Sequence, residues 1–288
     1  MTDSGMATTE AARVRAEELA RALRRAGADH AVETFRMAVR PIYGASDRGK
    51  PDQIGSAVLL KLDGRHLLVT AAHVIDENAS TSLYVAGASS IELLELEFYG
   101  TNAPEGDRNR DHYDFAFAEL SPGVVDVLGA VKFVEEHECR GAGADDARRL
   151  FTAVGFPNSR NKPPFQTDTK VKGQLYQYSH THRLVPALVT ALGVSGREHL
   201  FIEHRKHAFD ETGRKVSAIA PRGISGGAIL ESFYFNDRDL LNGLKLPTPL
   251  LAGITIERYP EYEMLVGTRI DTIVRAIRRT LAAPRDEA

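Results

Sequence analysis

The chain has 288 residues, 43% of them hydrophobic, and a formal net charge of -3 from 36 Lys and Arg against 39 Asp and Glu. That length buries one large core or two small ones, all-β barrels of this size are ordinary, the near-balance of charge gives no global field to draw nucleic acid, and no apolar run reaches the ~20 residues that cross a bilayer. Cys139 is the only cysteine, which excludes an intramolecular disulfide, and residues 1–6 lack the basic start and apolar core of a signal peptide. No nucleic-acid or membrane partner is therefore expected, and the expected location is a reducing, bacterial cytoplasm.

Residues 8–26 are rich in helix formers and stop at Gly27, which predicts an N-terminal helix. Its apolar stripe of Val14, Leu19, Ala22, Leu23 and Ala26 is thin and five arginines crowd the other faces, so a solvated helix packed loosely on the body is expected; a helix that docks an activating protein partner is the sharper alternative. From Phe35 the texture changes to short strands. Residues 54–62 and 66–70 are apolar runs joined by Asp63-Gly64, a hairpin signal because glycine accepts the positive φ of a tight turn. Residues 83–85 and 91–99 continue a first barrel, 100–113 form a long polar loop, and 141–146 read as a linker. A second barrel is expected from strands at 150–154, 169–178, 184–192, 200–203, 216–219, 228–235 and 250–256, with an insertion at 238–249. Ile270, Ile273, Val274, Ile277 and Leu281 recur at helical spacing and predict a closing helix. The expected divisions are 1–30, 31–140, 141–268 and 269–288.

Three stretches carry chemistry. In residues 221–230 Ser225 stands among Gly223, Gly226 and Gly227 ahead of an apolar strand, which presents a hydroxyl on a tight, uncrowded turn. A serine hydroxyl is a weak nucleophile until a base takes its proton and a third group orients that base. Val69-Thr70-Ala71-Ala72-His73 supplies a base at a strand end, and Asp114-Phe115-Ala116-Phe117 supplies a carboxylate with an apolar run behind it. Asp111 competes as orienter, and Asp114 is preferred because the run after it can bury the carboxylate behind the imidazole.

The order His, Asp, Ser, together with Thr70-Ala71-Ala72-His73, Asp114-Phe115-Ala116, Gly223-Ile224-Ser225-Gly226-Gly227 and the turn Gly155-Phe156-Pro157, resembles the trypsin-like serine peptidases of the chymotrypsin fold, across roughly residues 53–258. The resemblance implies an all-β fold of two antiparallel six-stranded barrels with an N-terminal and a C-terminal helix, and a site in the cleft between the barrels. It implies Ser225 as nucleophile, His73 as base, Asp114 as orienter and the backbone N–H groups of Gly223 and Ser225 as oxyanion donors. It places Ile219 at the base of the primary pocket, with Gly253 and Thr255 on its wall, so an apolar or small side chain is expected there. Ile224 stands where activated digestive enzymes carry an aspartate that pairs with a new N-terminus, so activation by that ion pair is not expected; the neutral residue resembles the HtrA-type enzymes.

No cofactor is implied. His180, His182, His199, His204 and His207 lack a carboxylate set and the HExxH pattern, so no metal site is expected. Cys139 beside Glu135, Glu136 and Glu138 is not a candidate nucleophile. The expected function is a serine endopeptidase acting on a protein or peptide substrate, with a catalytically silent binding or regulatory module on the same fold as the alternative.

Overall fold

The computed structural model of the chain describes residues 3–45, 51–88, 91–141, 146, 149–160, 166–167, 170–171, 173–209, 214–217, 222–234 and 246–283. Helix α1 (Asp3–Phe35) leads into β1 (Val39–Ala45), β2 (Pro51–Leu62), β3 (Arg65–Thr70), α2 (Ala72–Asp76), β4 (Leu83–Ala86), β5 (Ile91–Leu93), β6 (Tyr99–Gly100), β7 (Ala116–Glu119), α3 (Pro122–Leu128) and β8 (Val134–Glu135). There follow β9 (Arg149–Gly155), β10 (Gln166–Thr167), β11 (Lys170–Val171), β12 (Tyr176–Thr181), α4 (Pro186–Leu192), β13 (His199–Glu203), β14 (His207–Phe209), β15 (Lys215–Ser217), β16 (Ala228–Tyr234), β17 (Leu250–Tyr259), β18 (Met264–Arg269) and α5 (Ile270–Ala282).

The first sheet runs β5-β4-β1-β2-β3-β7-β6, with β8 added parallel to β2 through Leu60 and Val134. Its two outermost strands are consecutive in the chain, joined only by residues 94–98. A flat sheet of seven strands would hold those edges about 29 Å apart, whereas this connection spans at most about 21 Å, so the sheet curls. The β2–β3 hairpin turns at Asp63 and Gly64, both at positive φ (51° and 80°), as its sequence predicts.

The second sheet runs β12-β9-β16-β17-β18-β13, every pair antiparallel. A bridge between His182 and Ile202, with the Arg183 N–H donating to the Phe201 carbonyl at 2.9 Å, brings the chain after β12 back to β13, so six strands return on themselves. The first sheet has eight strands where six were expected and shows no such closing bridge among the described residues.

Alternation along the strands builds three cores. On β2 and β3, Ala57, Leu59 and Leu68 face one cluster with Ile42, Leu83 and Val85, while Val58, Leu60, Leu67 and Val69 face another. That second cluster is shared, because it also holds Leu230, Leu251, Ile254 and Val266 of the second sheet, Phe35 of α1, and Ile270, Ile273 and Ile277 of α5. Phe151, Ala153, Ile229 and Leu265 fill the second sheet's own interior. Burial on both faces accounts for the unbroken apolar runs at 57–60 and 67–69. Arg278 of α5 forks onto Asp63 (3.0 Å) and Glu136 (2.8 Å), which ties the closing helix to the first sheet.

Several elements differ from expectation. Helix α1 does not stop at Gly27 but runs on to Phe35. Leu23, Gly27, Ala31 and Phe35 repeat every four residues and lie on one face; the small ones let that face lie against β9 and β16, and packing outweighs a glycine cost of about 1 kcal/mol. Residues 186–192, expected as strand, form α4, for which Pro186 suits the first turn and Gly193 at φ 64° the end. The expected strand 91–99 is two short strands separated by irregular chain, and α3 and β18 carry too little local pattern to be foreseen. The expected loop insertion at 238–249, and 218–219 of the expected strand 216–219, lie wholly or largely outside the described residues.

Phe35 is buried and joins both sheets, so Phe35→Ala should cost about 3–5 kcal/mol in guanidinium unfolding, whereas Leu19→Ala on the exposed part of the same helix should change stability by less than about 0.5 kcal/mol.

Candidate active site

Strand β3 ends at Thr70, whose hydroxyl donates to the Ser56 carbonyl at 2.6 Å, and the chain turns at once into the short helix α2 that carries His73. The Asp114 carboxylate meets that helix at two points. Oδ1 accepts the His73 backbone N–H at 2.9 Å, and Oδ2 lies 2.5 Å from the imidazole Nδ1. Asp114 is buried, so this contact is held out of water. A carboxylate on Nδ1 assigns the ring proton to that nitrogen and leaves Nε2 as an acceptor.

Asp114 has φ 40°, a conformation that side chains other than glycine rarely adopt. What holds it is Asp111, whose Oδ1 accepts the N–H groups of Tyr113 (3.2 Å) and Asp114 (3.1 Å). The other oxygen of Asp111 accepts from the Thr101 hydroxyl and from Arg108 Nη1, the latter at 2.5 Å. Arg108 in turn forks onto Asp76, the last residue of α2, at 2.8 and 3.2 Å. Asp111 thus shapes the turn that presents Asp114 and makes no bond to His73; Arg108 clamps that turn to the helix bearing the imidazole. Neither role is assigned by the sequence alone, although Asp111, two residues ahead of Tyr113, has the spacing of an Asx turn.

Burial alone lowers the His73 pKa and is the largest single influence. The bond to Asp114 and its charge, with the charges of Glu257 and Asp76, together outweigh it and hold the value above the ordinary one.

Ser225 stands on a turn fixed by backbone bonds. Ser56 N–H donates to the Ser225 carbonyl at 2.8 Å, Gly226 N–H to the Thr255 carbonyl at 2.7 Å, and Thr255 N–H to the Gly227 carbonyl at 2.8 Å. Gly226 has φ 80°, and a Cβ there would overlap the Ser56 carbonyl oxygen and the Thr70 hydroxyl, so only glycine lets the serine turn lie against the strands of the first sheet.

Two carbonyls just ahead of the serine are turned inward. The Arg222 carbonyl accepts from Asn158 N–H and the Ile224 carbonyl from Gly227 N–H, each at 2.8 Å. The peptide bonds here are trans, so the N–H groups of Gly223 and Ser225 point away from those partners, and neither donates to any described residue. The Gly223 carbonyl accepts from Gln53 Nε2 and Ser56 Oγ, both at 3.0 Å, which fixes the plane of the next peptide.

The Ser225 hydroxyl donates to the Ile256 carbonyl at 3.2 Å, and no hydrogen bond joins it to His73. Both side chains line one cleft of about 450 Å³, together with Asp114 and Thr255. Thr255 Oγ1 is buried with no partner among the described residues. Gly253 does not line this cleft: it lies in β17 between Ile229 and Arg269, where a side chain would strike the Thr268 carbonyl. Ile219 lies outside the described residues. Ile224 is buried among Phe151, Ala153 and Leu200, and offers nothing to an ammonium group.

Elsewhere, no three His, Cys, Asp or Glu side chains converge as metal ligands among the described residues, and no described helix is long and apolar enough to cross a membrane. Burial, then Glu136 and Glu138, pushes the Cys139 thiol up to about 12, so it is no thiolate at neutral pH.

No family model matches the chain, and no curated protein matches it. Solved structures similar to it include an HtrA-type protease with a tripeptide, at 14% identity over 88% of this chain and 63% of that one with TM-score 0.49. Human heparin binding protein is similar at 9% identity over 86% and 92% with TM-score 0.49. The active form of a protease from M. tuberculosis is similar at 15% identity over 88% and 85% with TM-score 0.44.

In an NMR pH titration, His73 should titrate above about 6.5, and Asp114→Asn should lower its value. Because the native value is the raised one, the pair's contribution to stability is complete below about pH 6.5 and fades as pH rises through the native value. His180, His182, His199 and His204, held below the ordinary value by burial, work in the opposite direction in both proteins, so the measure is the stability difference between wild type and Asp114→Asn; a difference that grows across that window would contradict the pairing.

Proposed function

We propose that the chain is a trypsin-like serine endopeptidase that cleaves peptide bonds through an acyl-enzyme. The observation that carries this reading is the Asp114 carboxylate on His73 Nδ1, in one cleft with Ser225, whose own N–H and that of Gly223 donate to no described residue. Rotation of Ser225 about its Cα–Cβ bond exchanges the Ile256 carbonyl for His73 Nε2. The imidazole then takes the hydroxyl proton as Oγ attacks the scissile carbonyl, and Asp114 stabilises the imidazolium. The N–H groups of Gly223 and Ser225 receive the oxyanion. The imidazolium returns its proton to the departing amine, and water attacks the ester with His73 again as base.

A peptide suits the cleft because residues 257–259 of β17 pair only with β18 among the described residues, which leaves an edge beside Ser225 for an extended chain to join. Ile224 offers no N-terminal ion pair, so the Gly223 turn is ordered by Gln53, Ser56 and Asn158 instead. The lone, half-buried Cys139 suits a reducing bacterial cytoplasm. A second reading, a binding module without turnover or an enzyme awaiting a protein partner, is favoured by one observation: the serine hydroxyl rests on Ile256 rather than on the base.

Initial-rate kinetics on a fluorogenic peptide library test the proposal. Ser225→Ala should lower kcat by roughly 10⁶-fold and Asp114→Asn by roughly 10⁴-fold. Asp111→Asn keeps an oxygen for the turn and should fall far less. Equal losses for the two aspartate variants would remove Asp114 from its role, and wild-type turnover no better than Ser225→Ala would leave the second reading.

A further inference from the structure

Three arginines line the cleft, and they are not equivalent. Arg108 is neutralised by Asp76 and Asp111. Arg222 and Arg258 pair with no carboxylate among the described residues. The acidic side chains of the cleft are engaged: Asp111 by Arg108, Asp114 by His73, and Glu257 by the Tyr259 hydroxyl at 2.6 Å. Arg222 is exposed, whereas Arg258 is half-buried, and an arginine half-removed from water without an anion is costly, which marks Arg258 as prepared for an incoming charge.

Arg258 is also aimed. Its Nε donates to His204 Nδ1 at 3.1 Å. His204 is 1% exposed, its backbone N–H is held by the Glu263 carbonyl at 2.6 Å, and its ring packs against Tyr178 at 4.4 Å. Burial, with the charge of Arg258, holds the His204 imidazole down at about 4, so at neutral pH it accepts rather than repels. Glu203, next in the chain, is taken by Arg205 at 2.6 Å and leaves Arg258 alone. With Nε spent on His204, the outer guanidinium nitrogens remain as a planar fork suited to a carboxylate. Arg258 follows Ile256, the residue that holds the Ser225 hydroxyl, by two positions, or about 7 Å of strand.

We propose that Arg258, oriented by His204, reads a substrate carboxylate, so that the cleft selects peptides with an Asp or Glu side chain within a few residues of the scissile bond. Arg222 adds a second unpaired charge at the same cleft. This selectivity deepens the peptidase reading and rests on it for the meaning of the cleft, but its test needs no turnover.

Fluorescence anisotropy on full-length Ser225→Ala protein, with amidated hexapeptides that differ only by Glu or Gln at each position in turn, measures the preference. Glu should bind roughly tenfold tighter than Gln at one position or two adjacent ones. Arg258→Gln should abolish that ratio and Arg258→Lys should keep part of it. His204→Leu should shrink the ratio, whereas His204→Asn, which restores an oxygen acceptor, should recover part of it; a merely structural histidine would shift the Glu and Gln peptides equally. Equal binding of Glu and Gln peptides, no binding of either, a ratio that survives Arg258→Gln, or tighter binding only of neutral peptides with a free C-terminal carboxylate would overturn the proposal. A carboxylate preference in a protein whose wild type never hydrolyses peptide would retain this inference and discard the peptidase; hydrolysis without preference would do the reverse.

Discussion

The Asp114 carboxylate does two jobs with two oxygens, and the cleft depends on both. Oδ1 receives the backbone N–H of His73, and Oδ2 receives the ring. The first bond sets where the short helix α2 begins relative to the loop before β7, and the second sets how the imidazole turns. With the carboxylate buried, neither bond has water as a ready substitute. The cost is visible in the backbone: Asp114 stands at φ 40°, and the network of Asp111, Thr101, Arg108 and Asp76 holds it there. A strained residue kept in place by surrounding bonds is a common mark of a working site.

The two halves of the site come from different sheets, so their meeting depends on the shared core. His73 and Asp114 follow and precede strands of the first sheet, while Ser225 precedes β16 of the second. Between them Val58, Leu60 and Phe117 pack with Leu230, Ile254 and Val266, and Phe35 and Ile273 close the same cluster from the two helices. Nearer the chemistry, Ser56 reaches across directly: its N–H holds the Ser225 carbonyl and its hydroxyl holds the Gly223 carbonyl. The N–H groups of Gly223 and Ser225, the proposed oxyanion donors, are thereby oriented before any substrate arrives, which is the condition for electrostatic stabilisation without reorganisation at the moment of reaction.

What was legible in the sequence was what contiguous residues determine. The Asp63-Gly64 hairpin, the glycines about Ser225 and the amphipathic α5 each state their geometry within a dozen residues. The contact of His73 with Asp114 was legible because each stands against an apolar strand end, whereas Asp111 lacks one. The rest depends on partners distant in the chain. Gly27 reads as a stop until β9 and β16 lie against it. Residues 186–192 are apolar enough for either a buried strand or a helix, and the choice falls to the proline and glycine at their ends. Arg108 looks like any solvated arginine in a polar loop, and Arg258 meets His204 across 54 residues. The resemblance puts Gly253 on a pocket wall, while in β17 it makes room for the carbonyl of β18.

The central claim is that His73 and the turn around Gly223 activate Ser225 in the chain as it stands. Intact-mass spectrometry after exposure to a fluorophosphonate tests it most directly, since phosphonylation requires a deprotonating base and oxyanion donors but no knowledge of the substrate. The account predicts a single adduct on the wild-type protein, none on Ser225→Ala, and strongly slowed addition on His73→Ala. A wild-type protein that stays unmodified, or an adduct that persists in Ser225→Ala, would contradict it.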